Sequence, residues 1–438
     1  MRTICLLVLL LVLSTLVVHT RSEAAVYYVA TTGSDSSGDG SIGRPWLTVP
    51  KGIRSLRAGD TLYIRGGTYS ILSVYGTASS DTYGCVPACP TSWSSATKVM
   101  NYPGESVIIN HQGFNMDGSI SSGGVGYFIW QGDRRSNFVH QWGGSGDATG
   151  LRVNRAVHHV RMQTMTIRNF NSHGITGAGT CTDSIPLKPT FIEVLDNEIR
   201  NNGDDSGGSL YLAHEHGIYP NCGEDWLIDG NYLVGNWAYG VHINAKNSHR
   251  FKVTRNIVEG RKGPSGTTAG IYISGGSGHF VANNLIVGQG NQASKLSIGV
   301  QVADTAINPA VYNNTVYDVP LGIQLLTSSG AVVQNNLINA VTTNIQDLGN
   351  NVKASNLCTA VGLGCSVITA TPKFMSPGSN FRLAAGSLAI DSGATILAVT
   401  NDLDRGSRPA GNAYDIGAFE NGALSQTTLK PPSNLQVR

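Results

Sequence analysis

Charge is scarce in this chain. Asp, Glu, Lys and Arg make up 13% of its 438 residues, about half the usual share of a soluble domain. That excludes long solvated helices, which are rich in Glu, Lys and Arg, and a disordered chain, which combines high charge with few apolar residues. Neither sign predominates: 30 basic against 28 acidic side chains leave a net charge of +2, so the electrostatic footprint of a nucleic-acid or membrane-surface binder is missing. Walker loops, GxSxG elbows, HExxH and EF-hand spacings are absent too, which removes several common hydrolase and cation-binding chemistries. Long apolar runs are absent beyond the N-terminus, so no membrane span is expected. Glycine, by contrast, is plentiful at 54 residues, without the three-residue period of collagen.

Residues 1–24 read as a secretory signal. Arg2 supplies a positive start, Ile4 to Val18 form an apolar run, and Ser22 and Ala24 place small residues before a cleavage point. The expected location is therefore extracellular or periplasmic. Cys5 leaves with the signal, and six cysteines remain in an oxidising setting. Six cysteines permit fifteen connectivities; proximity suggests Cys85–Cys89, Cys181–Cys222 and Cys358–Cys365.

The decisive feature is repetition. An Asn followed by apolar residues recurs at Asn197, Asn231, Asn256, Asn284, Asn314 and Asn336. A Gly-(Ile/Val) phrase recurs between them at Gly174, Gly217, Gly240, Gly270, Gly299 and Gly322. The shortest glycine spacing is 23 residues, from 217 to 240 and from 299 to 322. Short β-rich segments at this period, without a 3.6-residue pattern, describe an all-β solenoid whose coils stack and bury one side of every strand. The Asn column is expected to be structural, its amides hydrogen-bonding along the turns.

Flanking segments add a resemblance. Tyr27 to Gly40, Arg44-Pro45-Trp46-Leu47-Thr48 and Ala58 to Tyr69 are similar to the opening segment of secreted right-handed parallel β-helix proteins, the pectate lyase-like group of polysaccharide lyases and epimerases. Ser387 to Gly393, Asp402 to Pro409 and Tyr414 to Glu420 are similar to their closing module. The resemblance implies a single-stranded right-handed parallel β-helix with an N-terminal cap. It assigns residues 25–110 to the cap and first coils, 111–150 to an insertion, 151–375 to coils and 376–420 to the closing module. Residues 421–438, with Lys430-Pro431-Pro432, read as a disordered linker. The group includes lyases, uronate epimerases, glycoside hydrolases and proteins of no assigned activity, so fold alone does not name a reaction.

Alternation along the strands maps the outer face. The repeated glycines would leave a bare strip open to a ligand. The residue after each Ile/Val is Thr176, Tyr219, His242, Tyr272, Gln301 and Gln324 in successive coils. Asn221, Asn244 and Lys246 extend this face, with Tyr239, Glu215 and His216 beside it. Strict alternation points His173 and His216 inward, although a turn at the strand start would rotate them out. Rings suit stacking on sugar faces and amides suit sugar hydroxyls, so a polysaccharide partner is expected for a monomeric protein. Stabilising ladders on an exposed sheet are the plainer explanation of the glutamines. Trp130, Arg134, Arg135, His140 and Trp142 would either form a subsite or cover the first coils.

The leading reaction is β-elimination on a uronic-acid polysaccharide. Lys246 or His242 would be the base, Tyr219 the donor to the leaving oxygen, and Lys246 or calcium the group against the carboxylate, with Arg261 nearby. Asp204, Asp205, Glu224 and Asp225 are candidate calcium ligands, although the acidic residues that precede the lysine in the calcium-dependent lyases are missing. A C5-epimerase would use the same His/Tyr/Lys set. A glycoside hydrolase would need two carboxyl groups, for which Glu215 with Asp205 or Glu224 would serve, and near-zero net charge favours it. A non-catalytic glycan-binding surface protein is the alternative of another class.

Overall fold

A computed structural model of the chain describes residues 24–71, 90–116, 125–144, 148–177, 188–204, 215–244, 247–260, 268–288, 296–349, 351–359, 365–368 and 372–423. Its strands are short and almost all parallel. Twelve of them form one sheet, running in coil order from Val26–Val29 to Val352–Ala354. Apart from the antiparallel pair Phe374–Ser376 and Asn380–Leu383, the others form two further faces, which merge into one network because Thr315–Leu325 and Leu337–Asp347 continue around the corner between them. The arrangement is the all-β parallel solenoid expected from the repeats.

Each face contributes an aliphatic column to the interior. Ile228, Val253, Val281, Val311 and Val333 are successive partners in the first sheet. Leu233, Val258, Ile286, Val316 and Ile338 follow in the second, and Val241, Ile271, Val300, Ile323 and Ile345 in the third. All fifteen are 0–3% exposed. Burying such side chains stabilises by about 1.5–3 kcal/mol each, which explains why Ile and Val recur with the coil period.

One corner is built by a left-handed residue followed by Asn. Asp196, Gly230, Arg255, Asn283, Asn313, Asn335 and Ser355 have φ between 51° and 68°. The residues after them, Asn197, Asn231, Asn256, Asn284, Asn314, Asn336 and Asn356, form a ladder. Each Nδ2 donates to the Oδ1 of the next rung at 2.9–3.1 Å, and each backbone N–H donates to that same oxygen. The Asn column is structural.

The repeated glycines are not a strip open to ligands. A Cβ at Gly217 would lie 2.7 Å from the carbonyl oxygen of Gly240, and at Gly299 2.4 Å from the side chain of Val316. The strand bends here against the neighbouring coil and the inner column, where only glycine fits. The bend also rotates the preceding residue outward. Tyr239, Ala269 and Ile298 form a cluster with Trp237 and Ala238 apart from the main core, with Leu321 packed against it, and His216 is paired with Tyr239. The inward orientation that alternation assigns to His216 is therefore corrected.

The described parts of residues 111–150, expected as an insertion, contribute coil strands. Val125–Gln131 lies between Thr97–Asn101 and Val157–Gln163 in the first sheet. Trp130 is buried and donates through Nε1 to His140 Nε2 at 2.7 Å, while His140 Nδ1 contacts His111 Nε2 at 2.9 Å. Trp130 and His140 are core, not a subsite. Arg135 reaches the carbonyl oxygens of Asp196 and Gly230.

The C-terminal segment lies along the flank of the coils as well as at their end. Phe374, Phe381, Leu383, Leu403, Ile416 and Phe419 pack on Tyr232, Ile257, Leu285, Val287, Leu337 and Leu357. Arg405 reaches back to Asp196 at 2.6 Å. The Cys358–Cys365 disulfide is present. Cys222 is disulfide-bonded; its expected partner Cys181 and the pair Cys85 and Cys89 lie outside the described residues, as does the expected signal apart from Ala24. No helix among the described residues is long and apolar enough to cross a membrane.

Candidate functional site

The third face carries polar and aromatic side chains on its outer surface. His242 is paired with Tyr272, Tyr272 with Gln301, Gln301 with Gln324 and Gln324 with Gln346. The glutamines form a ladder, with Gln301 Nε2 donating to Gln324 Oε1 and Gln324 Nε2 to Gln346 Oε1, both at 2.7 Å. This is the structural ladder weighed above. Toward the N-terminus the rings close on one another: His242 and Tyr272 stack with centroids 4.5 Å apart, and Tyr219 lies 5.1 Å from His242. His173 sits 5.2 Å from His216 and 4.7 Å from Tyr219. His242 and Tyr272 cover one face of each other, so that shared face is closed as a stacking platform.

A hydrogen-bond chain crosses three coils. His216 Nε2 contacts His242 Nδ1 at 3.0 Å, and His242 Nε2 contacts Ser274 Oγ at 3.0 Å. Ser274 Oγ donates to Asn244 Oδ1 at 2.9 Å. Asn244 Nδ2 donates to Tyr219 Oη at 2.7 Å and to Asn221 Oδ1 at 2.8 Å. Asn244 Oδ1 and the Ile243 carbonyl oxygen, 3.2 Å from Ser274 Oγ, both only accept, so the serine proton goes to them and not to His242. His242 then presents Nε2–H to Ser274, and with neutral rings it accepts His216 Nε2–H at Nδ1. The imidazoles, hydroxyl, amides and phenol thus have a consistent direction. Burial pushes the Tyr219 phenol above its ordinary pKa, opposed by the Asn244 hydrogen bond. Burial also raises Tyr239 and Tyr272, with the Asp304 carboxylate adding to both; Tyr272 Oη donates to Asp304 at 2.9 Å.

A family model described as a right handed beta helix region matches residues 149–374. The chain belongs to the right-handed β-helix family. No curated protein matches it in sequence. Among solved structures, pectate lyase Pel9A is similar at a TM-score of 0.65 and 16% identity, over 90% of this chain and 96% of that one. A GH136 lacto-N-biosidase from Eubacterium ramulus has a TM-score of 0.49 at 12% identity, over 77% and 68%. A rhamnogalacturonan lyase has 0.47 at 15%, over 79% and 84%. The likeness to Pel9A, at this identity, speaks for the β-helix fold and not for a shared reaction.

On this β-helix, Tyr219, Asn221, Tyr239, His216, His242, Asn244 and Tyr272 come together. Gln301 and Gln324 continue the same face. Lys246, Arg261 and Asp205 lie outside the described residues. Glu215 is 8% exposed and accepts the backbone N–H of Asp204 at 2.6 Å. Glu224 and Asp225 are held by Arg250 at 2.7 and 2.8 Å, with Lys188 3.8 Å from Glu224. Among the described residues no group of three or more His, Cys, Asp and Glu is arranged to hold a metal ion. Sequence reasoning gave no role to Ser274 or Asp304. Ser274 was readable, since it falls opposite Asn244 in register; Asp304 meets Tyr272 only by folding back after its strand.

Proposed function

We propose that the chain is a secreted polysaccharide lyase that cleaves a uronic-acid glycan by β-elimination on the His242 face. The observation that carries this reading is the chain from His216 through His242, Ser274 and Asn244 to Tyr219. β-Elimination needs a base for the C5 proton and an acid for the leaving oxygen. His242 is the base, once substrate replaces Ser274 at Nε2 and the ring takes the tautomer with its proton at Nδ1, donated to His216 Nε2, which leaves Nε2 free to accept the C5 proton. Tyr219 is the acid: its raised pKa keeps the phenol protonated at neutral pH, and the Asn244 amide donated to its oxygen stabilises the phenolate left behind. The Asn221 amide is the donor we assign to the substrate carboxylate, with Lys246 and Arg261 as the cations the sequence supplies for it. A hydrolase is less well supported, because Glu215 is buried on a backbone N–H and Glu224 is tied up in ion pairs.

The test is to offer the mature protein pectate, alginate, glycosaminoglycans and neutral glycans, with and without calcium. Unsaturated-uronate absorbance and new reducing ends should rise together on one of the acidic polymers. Reducing ends without absorbance would transfer the reading to a hydrolase, and silence in both would leave β-elimination without support.

A further inference from the structure

A second cleft, of about 560 Å³, lies on the first sheet between the coils and the C-terminal segment. Its floor carries Lys252 paired in register with Phe280, and residues 398–401 form a wall. Lys252 is exposed and has no ion-pair partner among the described residues. Arg250 and Arg255 flank it, their charges matched by Asp225 and Glu224 on one side and Asp229 on the other. Lys252 is thus the uncompensated charge of the lining. Two buried polar atoms of the lining also lack a hydrogen-bond partner: Asn283 Oδ1, on a side chain 4% exposed, and Arg255 Nε. The Asn283 amide is fixed by its Nδ2, which donates to the Asn401 carbonyl at 2.6 Å.

We propose that this cleft binds an acidic oligosaccharide, separately from the His242 face. An ammonium takes the carboxylate, an aromatic ring beside it takes the apolar face of the same sugar, and an orphaned buried acceptor and donor take its hydroxyls. A neutral sugar would leave Lys252 unused, and a small inorganic anion would leave Phe280, Asn283 and the apolar wall unused. Because the cleft and the His242 face belong to different sheets of the same coils, an acidic polymer is held at one while another segment reaches the other.

The test is calorimetric titration of the full chain with trisaccharides of galacturonate, guluronate and mannuronate, and with the methyl ester of whichever binds. Wild type should bind at least one acid, more weakly at high salt, and discriminate against its ester. Lys252→Ala and Phe280→Ala should each weaken binding by about tenfold, while His242→Ala retains it. Lys252→Ala should keep lyase turnover on short substrates. Wild type binding none of the acids, binding the ester equally, or both cleft variants binding within about twofold of wild type would overturn the proposal. Those outcomes are independent of the turnover assay, so loss of the lyase reading and loss of the cleft are distinguishable.

Discussion

At the scale of single residues, the His242 face makes a division of labour testable. If His242 is base and Tyr219 acid, His242→Ala and Tyr219→Phe each lower kcat by about 10²–10⁴-fold with little change in melting temperature, checked by uronate absorbance and a thermal scan. Asn244→Ala acts differently, because Asn244 positions the phenol and stabilises its anion. Its loss should raise the Tyr219 pKa further, since the hydrogen bond that opposes burial is removed. Absorbance titration of the phenols in Asn244→Ala against wild type reads that shift, which a merely structural role would not produce.

At the scale of the element, the corners matter as much as the strands. Asn256 accepts from the backbone N–H and Nδ2 of Asn231, and donates to Ile228 O and Asn284 Oδ1. Asn256→Ala leaves several buried polar groups unsatisfied and should cost about 2–4 kcal/mol in denaturant unfolding, far more than loss of an exposed Asn. Gly240→Ala puts a Cβ 2.6 Å from the Gly270 carbonyl and from Val258. It should destabilise by about 1–3 kcal/mol and also reduce turnover, because the same bend aims Tyr239 and the strand that carries His242. A stability loss with unchanged kcat would separate the bend from the site.

At the scale of the whole molecule, buried histidines set the acid limit. His279 donates from Nε2 to Gly275 O and accepts the Phe251 N–H at Nδ1, so the neutral ring is fixed on both sides. Burial brings its pKa down to about 4 and that of His111 to about 3. A folded-state pKa below the unfolded 6.5 means the unfolded chain binds more protons in between. Their contribution is fully present above pH ~6.5 and is lost as pH falls toward 4 and 3. Asp402, Asp404, Asp415 and Glu420 are raised by burial and act in the opposite sense, favouring the fold as pH falls. The histidine component is isolated by comparing wild type with His279→Leu: the variant should lose less stability between pH 7 and 4, by about 3 kcal/mol. In the C-terminal segment, the side chains of Arg408 and Glu420 are both 0% exposed and 2.6 Å apart. Glu420→Gln leaves that guanidinium buried without its counter-charge and should cost about 3–5 kcal/mol.

The periodic parts of this protein were legible in its sequence. Stacking repeats an environment every coil, so the inner Ile/Val columns and the Asn ladder are written as columns of identical residues. Which face carried His242, Tyr272 and the glutamines was also readable, because alternation holds along straight strands. Alternation failed where the chain bends: the glycines looked like an open strip, yet they are filled by the neighbouring coil, and the bend turns His216 outward against His242. The interactions joining distant segments left no local signal. Asp304 meeting Tyr272, Trp130 and His140 joining the core, and Asn401 closing the Lys252 cleft all depend on how coils and the C-terminal segment pack. Sequence determined the repeating unit because each coil sees the same surroundings; tertiary structure alone decided the places where those surroundings differ.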